Sequence, residues 1–186
     1  MYKSQRNQSA MKLHRQAGIT LVEIGVSLAI LAAVVAGSLA LYGSTSTSQK
    51  VQQLNQDLIS MRGGVQQLYV QSSTYTEGTA GDINVMIQDS KRFPTTLTPD
   101  GVNGFTHLLN GNLTIEGEDE IFSIAVSGLN DDACILLATQ AADWYSVNND
   151  GTKPTAPDDA TARAPATRSA LCGAGNAANT LYFYSS

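Results

Sequence analysis

"AGITLVEIGVSLAILAAVVAGSLALY", residues 17–42, carries a single charge, Glu23, and decides how the rest of the chain is read. After Ile24 the run stays uncharged to Tyr42, 19 residues in all. As an α-helix rising 1.5 Å per residue it would span about 28 Å, close to the hydrocarbon thickness of a bilayer. A carboxylate is costly in that setting, so one kept there points to a function. Ahead of it, residues 1–18 hold Lys3, Arg6, Lys12 and Arg15 and no acid. A basic leader before an apolar span stays in the cytoplasm and sends the downstream chain to the other side. A secretory signal peptide would place its small-residue cleavage site after the apolar core. Here the small pair Ala17-Gly18 precedes the core, so cleavage there would leave the apolar segment on the product.

The helical pattern does not stop at the membrane edge. Apolar residues fall at Val51, Leu54, Leu58, Met61, Val65 and Leu68, in steps of three and four that make one stripe on a helix. Glutamines, Asn55, Asp57 and Arg62 fill the positions between. No proline interrupts residues 19–71. That predicts one helix of about 50 residues, apolar all round in its first half and amphipathic in its second. Gly63-Gly64 weakens it by roughly 1 kcal/mol per glycine and reads as a site of close packing rather than a hinge.

The rest of the chain is turn-rich. Residues 83–93 read as a short helix ended by Pro94. Residues 113–115 and 121–126 read as a hairpin around the acidic turn 116–120. Gly128 should break the second strand, and Asn130 with Asp131 and Asp132 suits the start of a helix on which Cys134, Leu137, Ala138 and Ala141 share a face. Residues 156–170 read as an Ala/Pro/Thr-rich loop. "NTLYFYSS" closes the chain as a strand, Leu181 and Phe183 on one face, Tyr182 and Tyr184 on the other.

Chemistry is sparse. Of eleven Lys and Arg, four lie in the leader, leaving seven against all sixteen acids, a formal charge of −9 for residues 19–186. No basic stripe remains to bind nucleic acid. The two histidines, His14 and His107, stand apart from any metal-ligand spacing, and neither a metal nor a cofactor is expected. "SVNNDG" (146–151) opens like a calcium loop, but Pro157 stands where the closing Glu would be, so it reads as a turn. Asp131, Asp132 and Glu118–Glu120 fit helix-start and turn positions without acid–base work. No phosphate loop or nucleophile motif is present, and the chain reads as a non-enzyme. Trp144 and Tyr145 read as core or subunit contact. Cys134 and Cys172 are the only cysteines. An oxidising compartment favours a disulfide between them; two buried free thiols are the alternative.

The leader ending in Gly18, the sequence Ile19-Thr20-Leu21-Val22-Glu23 and the span behind it resemble the type IV pilins. An 18-residue leader and an aliphatic first residue resemble the type IVb subgroup. A strand, Gly-Leu, then Cys134 on a helix, with Cys172 near the end, resembles type IVb heads, and "NTLYFYSS" their closing strand. The resemblance covers residues 18–68, 121–141 and 171–185. It implies an α+β fold, a long N-terminal helix packed by its second half on an antiparallel sheet. It implies that a prepilin peptidase removes the leader 1–18 between Gly18 and Ile19 and methylates the Ile19 amine. Residues 19–42 would span the membrane and later fill the filament core, within a helix over 19–71. Residues 72–186 would form a head outside the cytoplasm, with a Cys134–Cys172 disulfide bounding 134–172. Glu23 would attract the amino terminus of a neighbouring subunit; pairing with its own Ile19 amine, four residues back, is the alternative. The implied function is that of a type IVb major pilin precursor. Its partners would be copies of itself in a helical filament, the peptidase, an inner-membrane assembly platform and minor pilins. It would pass from the inner membrane of a Gram-negative bacterium into an extracellular pilus, serving adhesion and aggregation or conjugative mating-pair stabilisation. Rival readings are a minor pilin or secretion pseudopilin and, from another class, a membrane-anchored periplasmic enzyme or binding protein. The last leaves the Gly18–Glu23 spacing unexplained.

Overall fold

The structure, a computed structural model, describes residues 20–72, 74–75, 82–173 and 178–186. It divides into two compact units, one ending at Tyr42 and one covering Gly43–Ser186. Helix α1, Leu21–Leu68, contributes to both. Expected over 19–71, it begins after Thr20 and gives way beyond Leu68 to a turn closed by Ser72 N–H donating to Tyr69 O; Ile19 lies outside the described residues.

The apolar stripe organises the second unit. Val51, Leu54, Leu58, Met61 and Val65 have no exposed surface, each worth roughly 1.5–3 kcal/mol on burial. They share one core with Leu113, Ile115, Phe122, Ile124, Val126, Leu181 and Phe183 of the sheet, and Leu68 packs at its border. A Cβ on Gly64 would lie 2.7 Å from Arg92 O, whereas one on Gly63 would meet nothing. Of this pair, then, only Gly64 is a close-packing glycine.

The sheet is antiparallel and six-stranded: β1 (Thr98–Pro99), β2 (Phe105–Thr106), β3 (Asn112–Glu118), β4 (Ile121–Leu129), β5 (Ser146–Asn148) and β6 (Asn179–Ser185), in the order β1-β2-β3-β4-β6-β5. Three expectations need correcting here. The acidic turn is only Asp119-Glu120, with Asp119 at φ 58°, because Glu116 continues the in-out alternation of β3 beside buried Ile115. Gly128 does not end β4; at φ 75° it sits in a register shift between Val126 and Leu129, so the strand bulges and goes on. The turn at 146–151 starts later, since Ser146–Asn148 pairs with β6. Asn148 then closes the turn itself, accepting from Gly151 N–H at 3.1 Å and donating to Thr152 O at 2.7 Å.

Helix α2, Asp82–Ser90, stops short of Pro94 because Lys91, at φ 53°, has already turned left-handed. Helix α3, Asp131–Gln140, starts as expected, with the Asn130 side chain accepting from Ala133 N–H at 2.9 Å. Ala141 is buried but caps the helix rather than extending it. The stretch read as loop at 156–170 contains α4, Pro165–Ser169, with proline at the first helical position. In β6 Leu181 and Phe183 face the core, and Tyr184 on the other face is buried too.

Part of the outward-facing backbone at the sheet margins is occupied. Beyond the short β2, the Asn84 side chain substitutes for a strand: it accepts from Ile115 N–H at 2.9 Å and donates to Ile115 O at 3.1 Å. Beyond β5, Asp158 N–H donates to Tyr145 O at 2.8 Å, and its carboxylate accepts from Val147 N–H at 3.2 Å. At the opposite margin β1 has two residues, one of them Pro99, which has no N–H to offer.

His107 closes the β2–β3 turn. Leu109 N–H donates to its Nδ1 at 3.2 Å, so Nε2 bears the proton and donates to Ser127 O at 2.9 Å. Burial lowers its pKa below the ordinary 6.5, with the Ser127 contact opposing. The folded chain thus binds this proton less readily than the unfolded one. The stability is full above about pH 6.5 and is lost as pH falls through the lowered folded value. We expect the unfolding free energy of the full chain in detergent, measured by urea titration, to fall between pH 7 and 5 by roughly 1 kcal/mol, the scale of one hydrogen bond, and the fall to shrink in His107→Gln. An unchanged pH dependence in that variant would assign the effect to other groups.

Candidate functional site

Two places carry the sequence-derived site residues. The first is the α1 segment up to Tyr42. Residues 21–38 form a helix long and apolar enough to cross a membrane by length and composition. Leu21, Val22, Ile24, Val26, Leu28, Ile30, Leu31, Val34 and Val35 are all exposed. An apolar surface exposed on every side needs a bilayer or other helices to cover it. Glu23 lies in the first turn, exposed among them. Its N–H donates to Thr20 O at 3.0 Å and to Thr20 Oγ1 at 3.3 Å, and Ser27 Oγ donates to its carbonyl at 2.8 Å. Thr20-x-x-Glu23 is therefore the start of a capping box, a local signal that the membrane-span argument passes over. Gly18 and Ile19 lie outside the described residues, as does any pairing of Glu23 with the Ile19 amine.

The second place is the segment bounded by the cysteines. Cys134, buried on α3, is bonded to Cys172, with Cα atoms 5.8 Å apart. Within that loop Arg168 is 2% exposed and has four oxygen partners. Its Nη2 donates to Asp158 at 3.0 Å, Nη1 to Ala141 O at 3.0 Å and Ala138 O at 3.5 Å, and Nε to Ala162 O at 3.3 Å. Burial lowers its pKa and the Asp158 carboxylate opposes that. The pair ties α4, the end of α3 and the margin of β5 together. Asn179 does the same at the other end, donating to Asp131 at 2.8 Å and Leu129 O at 3.3 Å while accepting from Gly173 N–H at 3.3 Å. Sequence reasoning missed Arg168, Asp158, Asn179 and Asn84; two Asp and two Arg inside an Ala/Pro/Thr-rich stretch were the one available signal. Trp144, 2% exposed, stacks tilted against Phe183 at 5.3 Å beneath the Arg62 guanidinium at 5.2 Å, which places it in the core. Among the described residues no group of three or more His, Cys, Asp or Glu is placed to hold a metal.

A long helix, an antiparallel sheet against its second half and a disulfide-bounded C-terminal segment together define the architecture. Residues 48–186 match the family described as PilS N terminal. The chain belongs to the PilS N-terminal family. TcpA, a type IV pilin from Vibrio cholerae El Tor biotype, aligns at TM-score 0.52 and 17% identity, over 74% of this chain and 99% of that one. The type IV b pilin from Salmonella typhi aligns at TM-score 0.52 and 14% identity, over 73% and 96%. The fold of this PilS N-terminal member is thus that of a type IV pilin. No curated protein matches the sequence. The family match starts at Ser48, so the reading of the apolar segment before it rests on that segment's own residues.

Proposed function

We propose that the chain is a prepilin, cut between Gly18 and Ile19, methylated at the Ile19 amine and polymerised through its N-terminal helix into an extracellular pilus. The carrying observation is an apolar helix exposed on every side, with one carboxylate in its first turn, on a chain whose second unit has the type IV pilin fold. Before assembly the bilayer covers that helix; in the fibre, helices of other copies do. A fibre subunit needs shape and contact rather than catalysis, and its partners are copies of itself, a prepilin peptidase and a membrane assembly platform. The fibre then serves cell contact, as adhesion and aggregation or as mating-pair stabilisation.

The test is the amino terminus of protein sheared from cells. Removing 18 of 186 residues leaves a chain of 168 that begins at methylated Ile19. Intact mass and terminal sequencing should find it. Sheared fibres whose subunits keep Met1, or begin elsewhere, would overturn the proposal.

A further inference from the structure

We propose that a recess between the β3–β4 turn and the chain that follows the 148–152 turn binds a neutral saccharide. The recess, about 590 Å³, has Asp119, Glu120 and Ile121 on one side, Lys153, Pro154 and Thr155 on the other, and half-buried Tyr145 in its lining. That volume lies in the range of small-molecule sites, roughly 300–1,000 Å³. Both sides are held by bonds of the fold. On one, Asp119 O accepts from Tyr75 N–H at 2.6 Å. On the other, Asn148 closes the turn and Asn149 donates to Leu171 O at 2.9 Å. Across the gap Lys153 Nζ meets Asp119 Oδ2 at 2.9 Å, with side chains 44% and 71% exposed. An ion pair that exposed is a weak tie, which a ligand can share or displace.

The ligand class follows from the polar groups that the fold leaves over. Among the described residues, the Tyr145 and Thr155 hydroxyls and the Glu120 carboxylate make no hydrogen bond or ion pair, and Asp119 uses only Oδ2. Two hydroxyls that both give and accept, beside carboxylates that only accept, match a set of sugar hydroxyls. The sugar O–H groups would donate to the carboxylates, and bonds to an ionised acceptor are the strong ones. Ile121, Pro154 and the Tyr145 ring supply the apolar part of the lining, suited to the C–H face of a pyranose. Charge disfavours the other ligands. Two carboxylates against one ammonium leave one net negative charge in the lining, which repels a phosphate or an acidic sugar. A cation would meet Lys153 in the same recess, and no group of three acids is placed there to hold a metal. Repeated on every subunit of the proposed fibre, such a weak site would hold a cell by many contacts at once. That last step rests on the fibre reading; the site itself does not.

Titration of the full chain in a detergent without a sugar headgroup tests the site apart from any fibre. The probes are lactose, maltose and diacetylchitobiose, read by saturation-transfer NMR, with sialyllactose as the charged comparison. At least one neutral disaccharide should bind with a Kd on the order of 1 mM. Glu120→Gln lies on an exposed turn and should keep the wild-type Tm while weakening binding about tenfold. Tyr145→Ala should also weaken it about tenfold. Should Tyr145→Ala prevent folding, Tyr145→Phe replaces it, keeping the ring and losing a hydroxyl contact, with a smaller but measurable loss. No saturation transfer from any of the three disaccharides overturns the site. So does binding that both variants leave unchanged, or sialyllactose bound more tightly than lactose. Sheared protein that keeps its leader would sink the fibre reading and leave this site standing.

Discussion

Cells producing only Glu23→Ala or Glu23→Gln should hold processed subunit in the membrane and carry no fibres. Neither change should disturb the helix start much, because Thr20 caps it through the backbone N–H of residue 23, which any side chain leaves in place. The lost carboxylate weakens the interaction with the helix dipole by about 0.3–1 kcal/mol. Insertion should become easier, since a charge is gone from an apolar segment. The loss left to explain a missing fibre is the electrostatic one. The attraction between an ammonium and a carboxylate grows as water is excluded, while either alone pays for desolvation. Glu23→Gln keeps the shape and removes only the charge, so both variants should behave alike. Membrane immunoblots set beside electron microscopy of sheared material decide the matter. Normal fibres from Glu23→Ala would remove the assembly role; degraded subunit with fibres formed by the survivors would assign Glu23 to its own helix instead.

Breaking the disulfide should have the next largest effect. Cys134 and Cys172 are 38 residues apart in sequence, and closing such a loop is worth about 4 kcal/mol in the chain-entropy treatment. Domains are stable by only about 5–15 kcal/mol, so this is a large share. Cys172→Ser should lower the steady-state level of the subunit and abolish fibres. Reducing the wild-type protein should lower the Tm of the second unit by about 10 °C. Arg168 is already in place on Asp158 and the end of α3, so α4 should keep partial order when the bond is cut. An unchanged Tm on reduction would show that the buried guanidinium, not the disulfide, secures this segment.

The long-range scaffold was legible in the sequence because periodicity is a physical record of burial. Val51 through Val65 could be named as core from spacing alone, and all five are fully buried. Asn130 announced α3 because an amide before a helical run has one obvious use. Local breakers misled where tertiary pairing overrode them: Gly128 looked like an end and proved to be a bulge, held in the sheet by β6 through Leu129. The Ala/Pro/Thr-rich stretch hid α4 because five residues carry no period. Asn84 could not be foreseen, and Arg168 only as a charge near Asp158, since most of their partners are backbone carbonyls and amides up to 31 positions away, which leave no trace in composition. The proposed assembly residue Glu23 was visible in the sequence as a charge out of place.

The guarded margins of the sheet bear on what would happen if thousands of such heads were crowded along the proposed fibre. At that local concentration any free strand would recruit its neighbours, and neighbouring heads would fuse into cross-β material. Asn84, Asp158 and Pro99 deny them a template. In the proposed fibre, subunits would then cohere through helices and side chains. Such a fibre should dissolve in detergents that solvate apolar helices, release folded heads and stay dark to amyloid dyes, behaving as a reversible assembly where an unguarded sheet would make a permanent one.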